Sequence, residues 1–300
     1  MKKKSVAKFK TPILFTIYNR LETTKIVFDV IKKIKPTHLY IASDGPKNEN
    51  DISNVKKVRE YVINNIDWDV NLKTKFYKVN KGCGRAMSSS VDWFFNNVDK
   101  GIILEDDCLP SLTFFNYCEV LLNHHADNKN IWHISGAVMH KQKNYNPSYY
   151  YSVYPGMWGW ATWSNRWKEY KFDMNEIDLN LKNYKYFNSR SISRSFFNKI
   201  KKRMENNEID TWDYQWIFTI WQNNALCVTP NYNLVSNIGF SEDATHTINI
   251  NDSRSNNRKV EIESIIHPKK VDIFNDELLK KKYYSSPSFL KKVINKFNKW

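Results

Sequence analysis

Short apolar runs alternate with amphipathic segments along the first 135 residues of the chain. The apolar runs are rich in β-forming side chains and indicate buried strands at residues 12–18, 38–43, 72–79, 101–105 and 131–135. Between them, apolar residues recur at helical spacing, as at Val27, Val30, Ile31 and Ile34. This alternation predicts βαβ crossovers, and therefore an α/β fold with a Rossmann-like, mainly parallel sheet flanked by helices.

The helices of this half have predictable ends. Pro36 ends the first helix, and Asp51 is the expected cap of the second. A third helix is expected over residues 85–97, and Ser111 is expected to cap a fourth that runs to about residue 125.

The rest of the chain has a mixed pattern. It contains an aromatic segment at residues 149–170, followed by three predicted helices at 176–189, 192–206 and 212–223. An extended stretch at 226–238 and a polar loop at 250–258 come after them. We expect a single domain over residues 1–265, made of a 1–135 half and a mixed 136–265 half. A basic extension over residues 266–300 follows it, and its segment 287–299 is amphipathic.

Composition narrows the class of protein. Of the 300 residues, 41% are apolar and 15% aromatic, which excludes a disordered chain, and no run of 18 apolar residues is present. The start at Met1–Lys4 lacks the apolar core of a signal peptide, so we expect a cytoplasmic protein. Its four cysteines form no CxxC pair, which disfavours a zinc site and suits reduced thiols.

The net charge of +15 is concentrated at the two ends of the chain. Residues 1–10 carry +5 and residues 268–300 carry +6, which leaves +4 for the 257 residues between them. This distribution, and the excess of Lys over Arg, argue against nucleic-acid binding, because Arg does most base recognition. The basic C-terminal segment predicts peripheral contact with the anionic inner face of the plasma membrane, and a solubilising tail is the alternative.

Polar residues follow four of the predicted strands where those strands end, at 19–20, 44–45, 81–85 and 105–107. Because parallel strands point the same way, these turns lie at one edge of the sheet, where such folds bind ligands. Three consecutive carboxylates, at 105–107, repel one another unless a cation neutralises them. The triplet therefore predicts Mg²⁺ or Mn²⁺, with one acid on the metal and a neighbour on a ribose or sugar hydroxyl, and a solvated turn is the alternative.

The glycine turn at 81–85 is not a known phosphate loop. Met87 stands where a dinucleotide fingerprint has glycine, and no Walker lysine follows. The turn still predicts Arg85 or backbone N–H groups facing a nucleotide, unless it is an ordinary βα turn. In the aromatic segment, most rings are expected to be core, but Trp158 or Trp160 is expected to line the site and stack on a sugar.

Several of these motifs resemble those of GT-A glycosyltransferases. They are Tyr-Asn-Arg at 18–20, Ala-Ser-Asp-Gly-Pro at 42–46, Ile-Ile-Leu-Glu-Asp-Asp at 102–107, Leu-Pro-Ser-Leu-Thr-Phe-Phe at 109–115 and Gly-Met-Trp-Gly-Trp at 156–160. The pattern spans roughly residues 10–250 and is similar to that of the N-acetylglucosaminyltransferase I-like group, which includes bacterial surface-polysaccharide enzymes. The resemblance implies a GT-A fold, a nucleoside-diphosphate-sugar donor, a divalent metal and inversion at the anomeric carbon.

The resemblance also implies roles for residues on the donor side. Asp107, the last acid of the DxD-like triplet, would bind the metal. The other donor-side residues would contact the sugar, ribose, base or diphosphate: Asn19, Arg20, Asp44, Arg85, Glu105 and Asp106. In this interpretation, residues 1–135 are the nucleotide-sugar-binding half and residues 136–265 are the acceptor-side half.

On the acceptor side, the catalytic base of the group is a carboxylate that follows a Trp at the start of a helix. Asp213 fits that description, and Asp210 stays an alternative because Tyr214 stands where a second Asp can occur. An attacking hydroxyl does need a positioned base, although an acid at this place also suits a helix start. His246 matches the late histidine that many such enzymes use at the metal or diphosphate, with a structural role as the alternative.

Together these features predict a metal-dependent, inverting hexosyl- or N-acetylhexosaminyltransferase of surface-polysaccharide synthesis. The expected donor is a nucleoside-diphosphate sugar, with a UDP-sugar first, and the acceptor is a hydroxyl of a glycan or lipid-linked sugar. The alternatives are a nucleic-acid-binding protein and a sugar-nucleotide pyrophosphorylase or metal hydrolase on a similar sheet. A pyrophosphorylase is expected to have a glycine-rich N-terminal loop, whereas residues 16–22 contain no glycine.

Overall fold

A mixed eight-stranded sheet and a two-stranded ribbon organise the chain. The structure is a computed structural model that describes residues 8–138, 146–178, 190–239 and 259–269, with no side chains described for 190–194. Its strands are β1 Ile13–Ile17, β2 His38–Ser43, β3 Asn71–Phe76, β4 Lys100–Glu105, β5 Cys108–Pro110, β6 Ile131–Ser135, β7 Tyr149–Ser152, β8 Trp160–Trp163, β9 Leu226–Pro230 and β10 Val235–Asn237. Its helices are α1 Leu21–Ile34, α2 Glu49–Asn64, α3 Cys83–Phe95, α4 Leu112–His124, α5 Ser164–Trp167, α6 Arg190–Glu205 and α7 Asp213–Gln222, with a 3₁₀ turn at Met174–Glu176.

The strand order of the large sheet is β3-β2-β1-β4-β8-β6-β9-β7. Strands β7 and β8 run antiparallel to their neighbours, and the other six run in one direction. The predicted α/β fold with a mainly parallel sheet and flanking helices is therefore confirmed. Strand β8 comes from the second half of the chain and pairs with β4, so that Ile103 lies opposite Trp160.

The central strands form because their side chains are apolar on both faces of the sheet. Ile13, Phe15, Ile103 and Leu104 are fully buried, as strands covered by helices on both faces require. Each large apolar side chain buried in this way contributes about 1.5–3 kcal/mol to the free energy of unfolding. The amphipathic α1 ends at Ile34, because Pro36 disfavours a helical conformation at the residue before it.

The aromatic segment supplies most of the core of the second half. Strands β7 and β8 are buried along their whole length. Trp160 stacks on His133 with ring centroids 5.3 Å apart and on Trp212 at 5.4 Å, and Trp216 packs on Trp167 at 5.0 Å. This part of the core joins β6, β8 and α7 to each other.

Several boundaries differ from the sequence-based expectations. Strand β3 ends at Phe76 instead of residue 79. Helix α3 begins at Cys83 instead of residue 85, directly after Gly82, whose backbone φ is +79°. Asn48, and not Asp51, caps α2, because its side chain accepts a hydrogen bond from the Asp51 N–H. The short strand β5 was not expected, and it forms by pairing with the distant β10.

Other expectations were met in full or in part. Ser111 caps α4, and α6 and α7 lie within two residues of the predicted helices. The predicted extended stretch at 226–238 contains β9 and β10 with a turn between them. Of the predicted helix at 176–189, Glu176 ends a 3₁₀ turn and residues 177–178 are irregular. Its residues 179–189 lie outside the described residues, as do the 250–258 loop and the basic segment 287–299.

The segment 259–269 packs against the sheet and α4. Glu261 accepts hydrogen bonds from the N–H groups of Leu112 (2.9 Å) and Thr113 (2.8 Å) at the start of α4. The Ser148 N–H donates to the Ile266 carbonyl at 2.8 Å, and His267 Nδ1 lies 2.9 Å from the Tyr149 hydroxyl. Contacts with the body of the fold therefore continue past residue 265, where the domain was predicted to end.

Within the part of the chain that the structure describes, none of the helices combines the length and apolar character needed to cross a bilayer.

Gly101 gives a direct test of the packing between β4 and α3. A Cβ at this position would overlap the Phe94 ring and lie 2.9 Å from the Pro12 carbonyl oxygen. We expect Gly101→Ala to lower the free energy of unfolding by about 1–3 kcal/mol, as overpacking does, measured by urea denaturation. Thr74→Ala, at an exposed position of β3, is the control and is expected to change it by less than about 0.5 kcal/mol. Equal urea midpoints for the two variants would contradict this packing.

Candidate active site

A cavity of about 530 Å³ opens at the carboxyl ends of β1, β2 and β4. The turns that follow these three strands supply much of its wall, including Tyr18, Asn19, Arg20, Asp44, Glu105 and Asp106. The topology places these turns together because parallel strands end at the same edge of the sheet. Five of the six donor-side residues expected to contact the nucleotide sugar are thus on one cavity wall.

The acidic triplet lies where β4 leaves the sheet. Glu105 is the last residue of β4, and Asp106 and Asp107 form the turn into β5. Asp106 is 3% exposed, and its carboxylate accepts hydrogen bonds from the Tyr18 N–H at 3.0 Å and from Arg20 at 2.5 Å. The same Arg20 nitrogen lies 3.0 Å from Asp107 Oδ2.

The electrostatics of the triplet show an excess of negative charge. Burial raises the pKa of Glu105 well above its usual range, and the charges of Asp107, Asp106 and Asp213 raise it further. Burial also raises the pKa of Asp106 to about 6, although the charge of Arg20 opposes that shift. A single guanidinium therefore does not neutralise the cluster, and the site favours the approach of a further cation.

The donor atoms of the triplet fit a hard divalent cation. They are carboxylate oxygens, which Mg²⁺ and Mn²⁺ prefer, and the Glu105 carboxylate accepts no hydrogen bond from any residue that the structure describes. Across the described residues, no three His, Cys, Asp or Glu side chains converge into a ready-made metal cluster. Asp106 and Asp107 instead face Arg20, and His246 lies outside the described residues.

A hydrogen-bonded network forms another part of the cavity wall. The Tyr18 hydroxyl donates to Asp51 Oδ2 at 2.9 Å, and the side-chain amide of Asn19 donates to Asp51 Oδ1 at 2.9 Å. Asn80 in turn donates to the Tyr18 hydroxyl at 3.3 Å. The hydrogen bond from Asn19 lowers the pKa of Asp51, whereas burial, with the help of Asp51, raises the pKa of Tyr18 to about 12.

Sequence reasoning missed this network. Tyr18 belongs to the Tyr-Asn-Arg motif, but the sequence suggested no role for it. Asp51 was interpreted as a helix cap because acids are frequent at helix starts. Only the pairing of β1 with β2 brings Tyr18 beside the first turn of α2, since 33 positions separate the two residues in the chain.

Asp44 is held at the carboxyl end of β2 by backbone and side-chain contacts. Its carboxylate accepts hydrogen bonds from the N–H groups of Gly45 at 2.8 Å and Lys81 at 2.9 Å. Arg59 fixes the same turn from behind by donating to the carbonyl oxygens of Asp44 (2.8 Å) and Tyr77 (2.9 Å). Burial raises the pKa of Asp44, and the backbone N–H groups oppose that shift.

The glycine turn faces Asp210 from the second half of the chain. The Gly84 N–H, in the first turn of α3, donates to Asp210 Oδ1 at 2.9 Å. A Cβ on Gly84 would lie 2.6 Å from the Thr211 carbonyl oxygen, so only glycine allows this approach. Arg85 lies on the exposed surface, with its guanidinium 4.4 Å from the centre of the Phe172 ring, and is not in the cavity wall.

Asp213 starts α7, as expected, and is oriented by two donors. Its Oδ1 accepts hydrogen bonds from the Tyr214 N–H at 2.9 Å and from the Thr211 hydroxyl. The charge of Asp213 acts on Glu105 and on Cys83, a thiol in the cavity wall whose pKa is raised by burial and by the surrounding carboxylates. Asp213 and the triplet are thus brought into one electrostatic environment.

The aromatic residues expected at the site do not line this cavity. Trp160 is 1% exposed and stacks between His133 and Trp212, so it belongs to the core and cannot stack on a sugar. The expectation was wrong for Trp160 because both faces of β8 are covered, so that all four of its side chains are buried. Trp158 is half-buried and lies outside the wall of this cavity.

Comparison with known proteins gives a fold likeness at low identity. No protein-family profile matches the sequence, and no curated protein matches it. The solved structures similar to this chain include mannosyltransferase PcManGT from Pyrobaculum calidifontis in complex with GDP-Man and Mn²⁺, with 11% identity, a TM-score of 0.39, and coverage of 74% of this chain and 73% of that one.

Two further similar structures come from other proteins. One is HddC from Yersinia pseudotuberculosis, with 12% identity, a TM-score of 0.32, and coverage of 59% of this chain and 86% of that one. The other is a putative glucose-1-phosphate thymidylyltransferase from Bacillus anthracis, with 13% identity, a TM-score of 0.30, and coverage of 55% and 76%. Likenesses of this size do not indicate the activity of this chain.

Tyr18 tests the network in the cavity wall. Tyr18→Phe removes the hydroxyl that joins Asp51 to Asn80, and we expect it to lower the free energy of unfolding by about 0.5–1.5 kcal/mol. Tyr61→Phe is the matched control, because no hydrogen bond of its hydroxyl is present among the described residues. Chemical denaturation measures both, and a Tyr18→Phe variant as stable as the wild type would argue against the network.

Proposed function

We propose that the protein is a metal-dependent, inverting glycosyltransferase that moves a sugar from a nucleoside-diphosphate sugar to a hydroxyl of a glycan or lipid-linked acceptor. The supporting observation is the acidic triplet at the end of β4, which is under-neutralised and borders a 530 Å³ cavity. A second carboxylate, Asp213, acts on the triplet from the acceptor-side half. The resemblance of the motifs to those of bacterial surface-polysaccharide enzymes supports a role in surface-polysaccharide synthesis.

The cavity suits the nucleotide part of the donor. Its volume falls within the roughly 300–1,000 Å³ that small-molecule sites usually have. Asp44, held by backbone N–H groups, is an acceptor for a base N–H or a ribose hydroxyl, and Asn19 and Asn80 offer amide groups beside it. We propose a UDP-sugar as the donor to test first.

Asp107 and Glu105 are the residues that would hold a divalent cation, with His246 as a further candidate. Their carboxylates supply the oxygen ligands that Mn²⁺ or Mg²⁺ requires. When bound, the cation would stabilise the negative charge of the diphosphate leaving group. Asp106 is engaged by the Tyr18 N–H and Arg20, which suits a supporting role in the same cluster.

Asp213 is the proposed catalytic base. The Thr211 hydroxyl and the Tyr214 N–H hold Oδ1, which fixes the orientation of the carboxylate and leaves Oδ2 for the proton of the acceptor hydroxyl. Removal of that proton during attack on the anomeric carbon completes a single displacement and inverts the configuration. Asp210, which lines the cavity and accepts the Gly84 N–H at Oδ1, is the alternative base.

The basic C-terminal extension is the proposed link to lipid-linked acceptors. Residues 268–300 carry +6, and the segment 287–299 is amphipathic, which favours an anionic membrane surface. The extension lies outside the described residues beyond position 269, so this part of the proposal is supported by the sequence pattern.

Nucleotide binding that depends on a metal is the first test of the proposal. UDP, GDP or CDP at about 100 times its Kd is expected to stabilise the protein by about 2.7 kcal/mol, and only with Mn²⁺ or Mg²⁺ present. Differential scanning fluorimetry with and without EDTA measures it. Asp107→Ala is expected to lose the metal-dependent shift while staying folded, whereas Asp99→Asn, an exposed acid outside the cavity, keeps it.

No metal-dependent shift with any nucleotide would refute the proposal. Metal-dependent consumption of pyrophosphate and a sugar nucleotide, with release of a nucleoside triphosphate, would identify a pyrophosphorylase instead.

Asp213→Asn tests the base. We expect kcat for transfer to fall by about 10²–10⁴-fold, because general base catalysis contributes about that much, while nucleotide binding is unchanged. The comparison is Asp210→Asn, for which we expect a smaller loss of kcat together with a loss of stability, since the Gly84 N–H loses a charged acceptor. Full transfer activity in Asp213→Asn would show that another group is the base.

A further inference from the structure

One guanidinium group holds two acids of the triplet at once. Arg20 Nη2 lies 2.5 Å from Asp106 Oδ1 and 3.0 Å from Asp107 Oδ2. Asp106 is nearly inaccessible, and both Arg20 and Asp107 are mostly buried, so water screens these ion pairs poorly. Asp107 is the residue whose carboxylate would otherwise be the ligand for a cation.

The surrounding backbone fixes this arrangement. The Tyr18 N–H binds Asp106 Oδ2, and Arg20 follows two residues later as the N-terminal flanking residue of α1. On the far side, the Ile238 N–H donates to the Asp107 carbonyl at 2.8 Å and brings Gly239 over the ion pair. A Cβ on Gly239 would overlap Asp107 Oδ2 and lie 2.9 Å from Arg20 Nη1, so a side chain there would have to shift the ion pair.

The acids of the triplet outnumber the single guanidinium group that pairs with them. Glu105, Asp106 and Asp107 are consecutive in the chain, and among the described residues Arg20 is the one basic side chain that forms ion pairs with them. A divalent cation would therefore be attracted, yet the guanidinium already occupies one oxygen of Asp107. The cation and Arg20 compete for the same carboxylate.

We propose that Arg20 is the resting counter-ion of the acidic triplet, which a divalent cation must displace from Asp107 in order to bind. This inference rests on the metal dependence of the proposed function. Arg20 keeps its shorter contact with Asp106 and gives up the longer one with Asp107. Its charge then remains in the cavity wall, where an anionic diphosphate would be bound.

The binding of Mn²⁺ alone, without nucleotide, tests the proposal. Free Mn²⁺ is counted by electron paramagnetic resonance for the wild type, Arg20→Gln and Arg20→Lys. Because the competing charge is lost, we expect Arg20→Gln to bind Mn²⁺ about tenfold more tightly or better. Arg20→Lys keeps the positive charge but lacks the planar guanidinium, and we expect its Mn²⁺ affinity to lie between those of the wild type and Arg20→Gln.

The matched control removes a guanidinium group that lies outside the cavity. Arg203 on α6 pairs with the exposed Glu208 at 3.5 Å, and Arg203→Gln is expected to leave the Mn²⁺ affinity unchanged. If Arg20→Gln does not fold, as judged by circular dichroism, Arg20→Lys against the wild type decides the matter, with tighter binding expected.

The outcomes separate this inference from the proposed function. Wild-type binding of Mn²⁺ with equal or weaker binding in the folded Arg20 variants would overturn the counter-ion role and leave the metal-dependent function in place. Absence of Mn²⁺ binding in the wild type and in every variant would overturn the metal dependence itself. Weak binding in the wild type and strong binding in Arg20→Gln is the result that the competition predicts.

Discussion

The repulsion among three carboxylates at the end of β4 is the constraint on which the site depends. Glu105, Asp106 and Asp107 are packed at the edge of a buried strand, where little water is present to screen them. The fold compensates in part by placing the turn after β1 beside them, so that the Tyr18 N–H and the Arg20 guanidinium bind Asp106. The repulsion that Arg20 does not offset is the reason that we propose a cation and a phosphorylated ligand at this edge of the sheet.

The two halves of the chain are connected through the same edge. Strand β8 pairs with β4, the strand that ends in the triplet, and carries Trp160, which packs on Trp212 in the aromatic core. Trp212 directly precedes Asp213, so the packing of one tryptophan ring fixes where Asp213 begins α7. From the other direction, Asp210 binds the start of α3 through the Gly84 N–H. Acids from the second half of the chain are therefore positioned against the first half by a shared core.

The sequence was sufficient to predict the parallel part of the sheet and the acids at its edge. Buried parallel strands are continuous apolar runs, so β1, β2 and β4 were visible, and the polar residues that follow them had to meet at one edge. The contacts of Asp51 with Tyr18 and of Asp210 with Gly84 could not be predicted, because residues distant in the chain make them. The position of Trp160 was missed for a related reason, since an aromatic residue that stacks on a sugar and one that stacks on other rings have the same sequence pattern.

We propose that the triplet and its cavity bind a nucleoside-diphosphate sugar and activate it for transfer. The decisive experiment is a screen of UDP-, GDP-, CDP- and dTDP-sugars, with the release of nucleoside diphosphate measured in the presence of Mn²⁺ and after its removal. We expect at least one donor to release its nucleoside diphosphate only when the metal is present. Release that is independent of the metal, or no release from any donor under conditions in which the protein is folded, would contradict it.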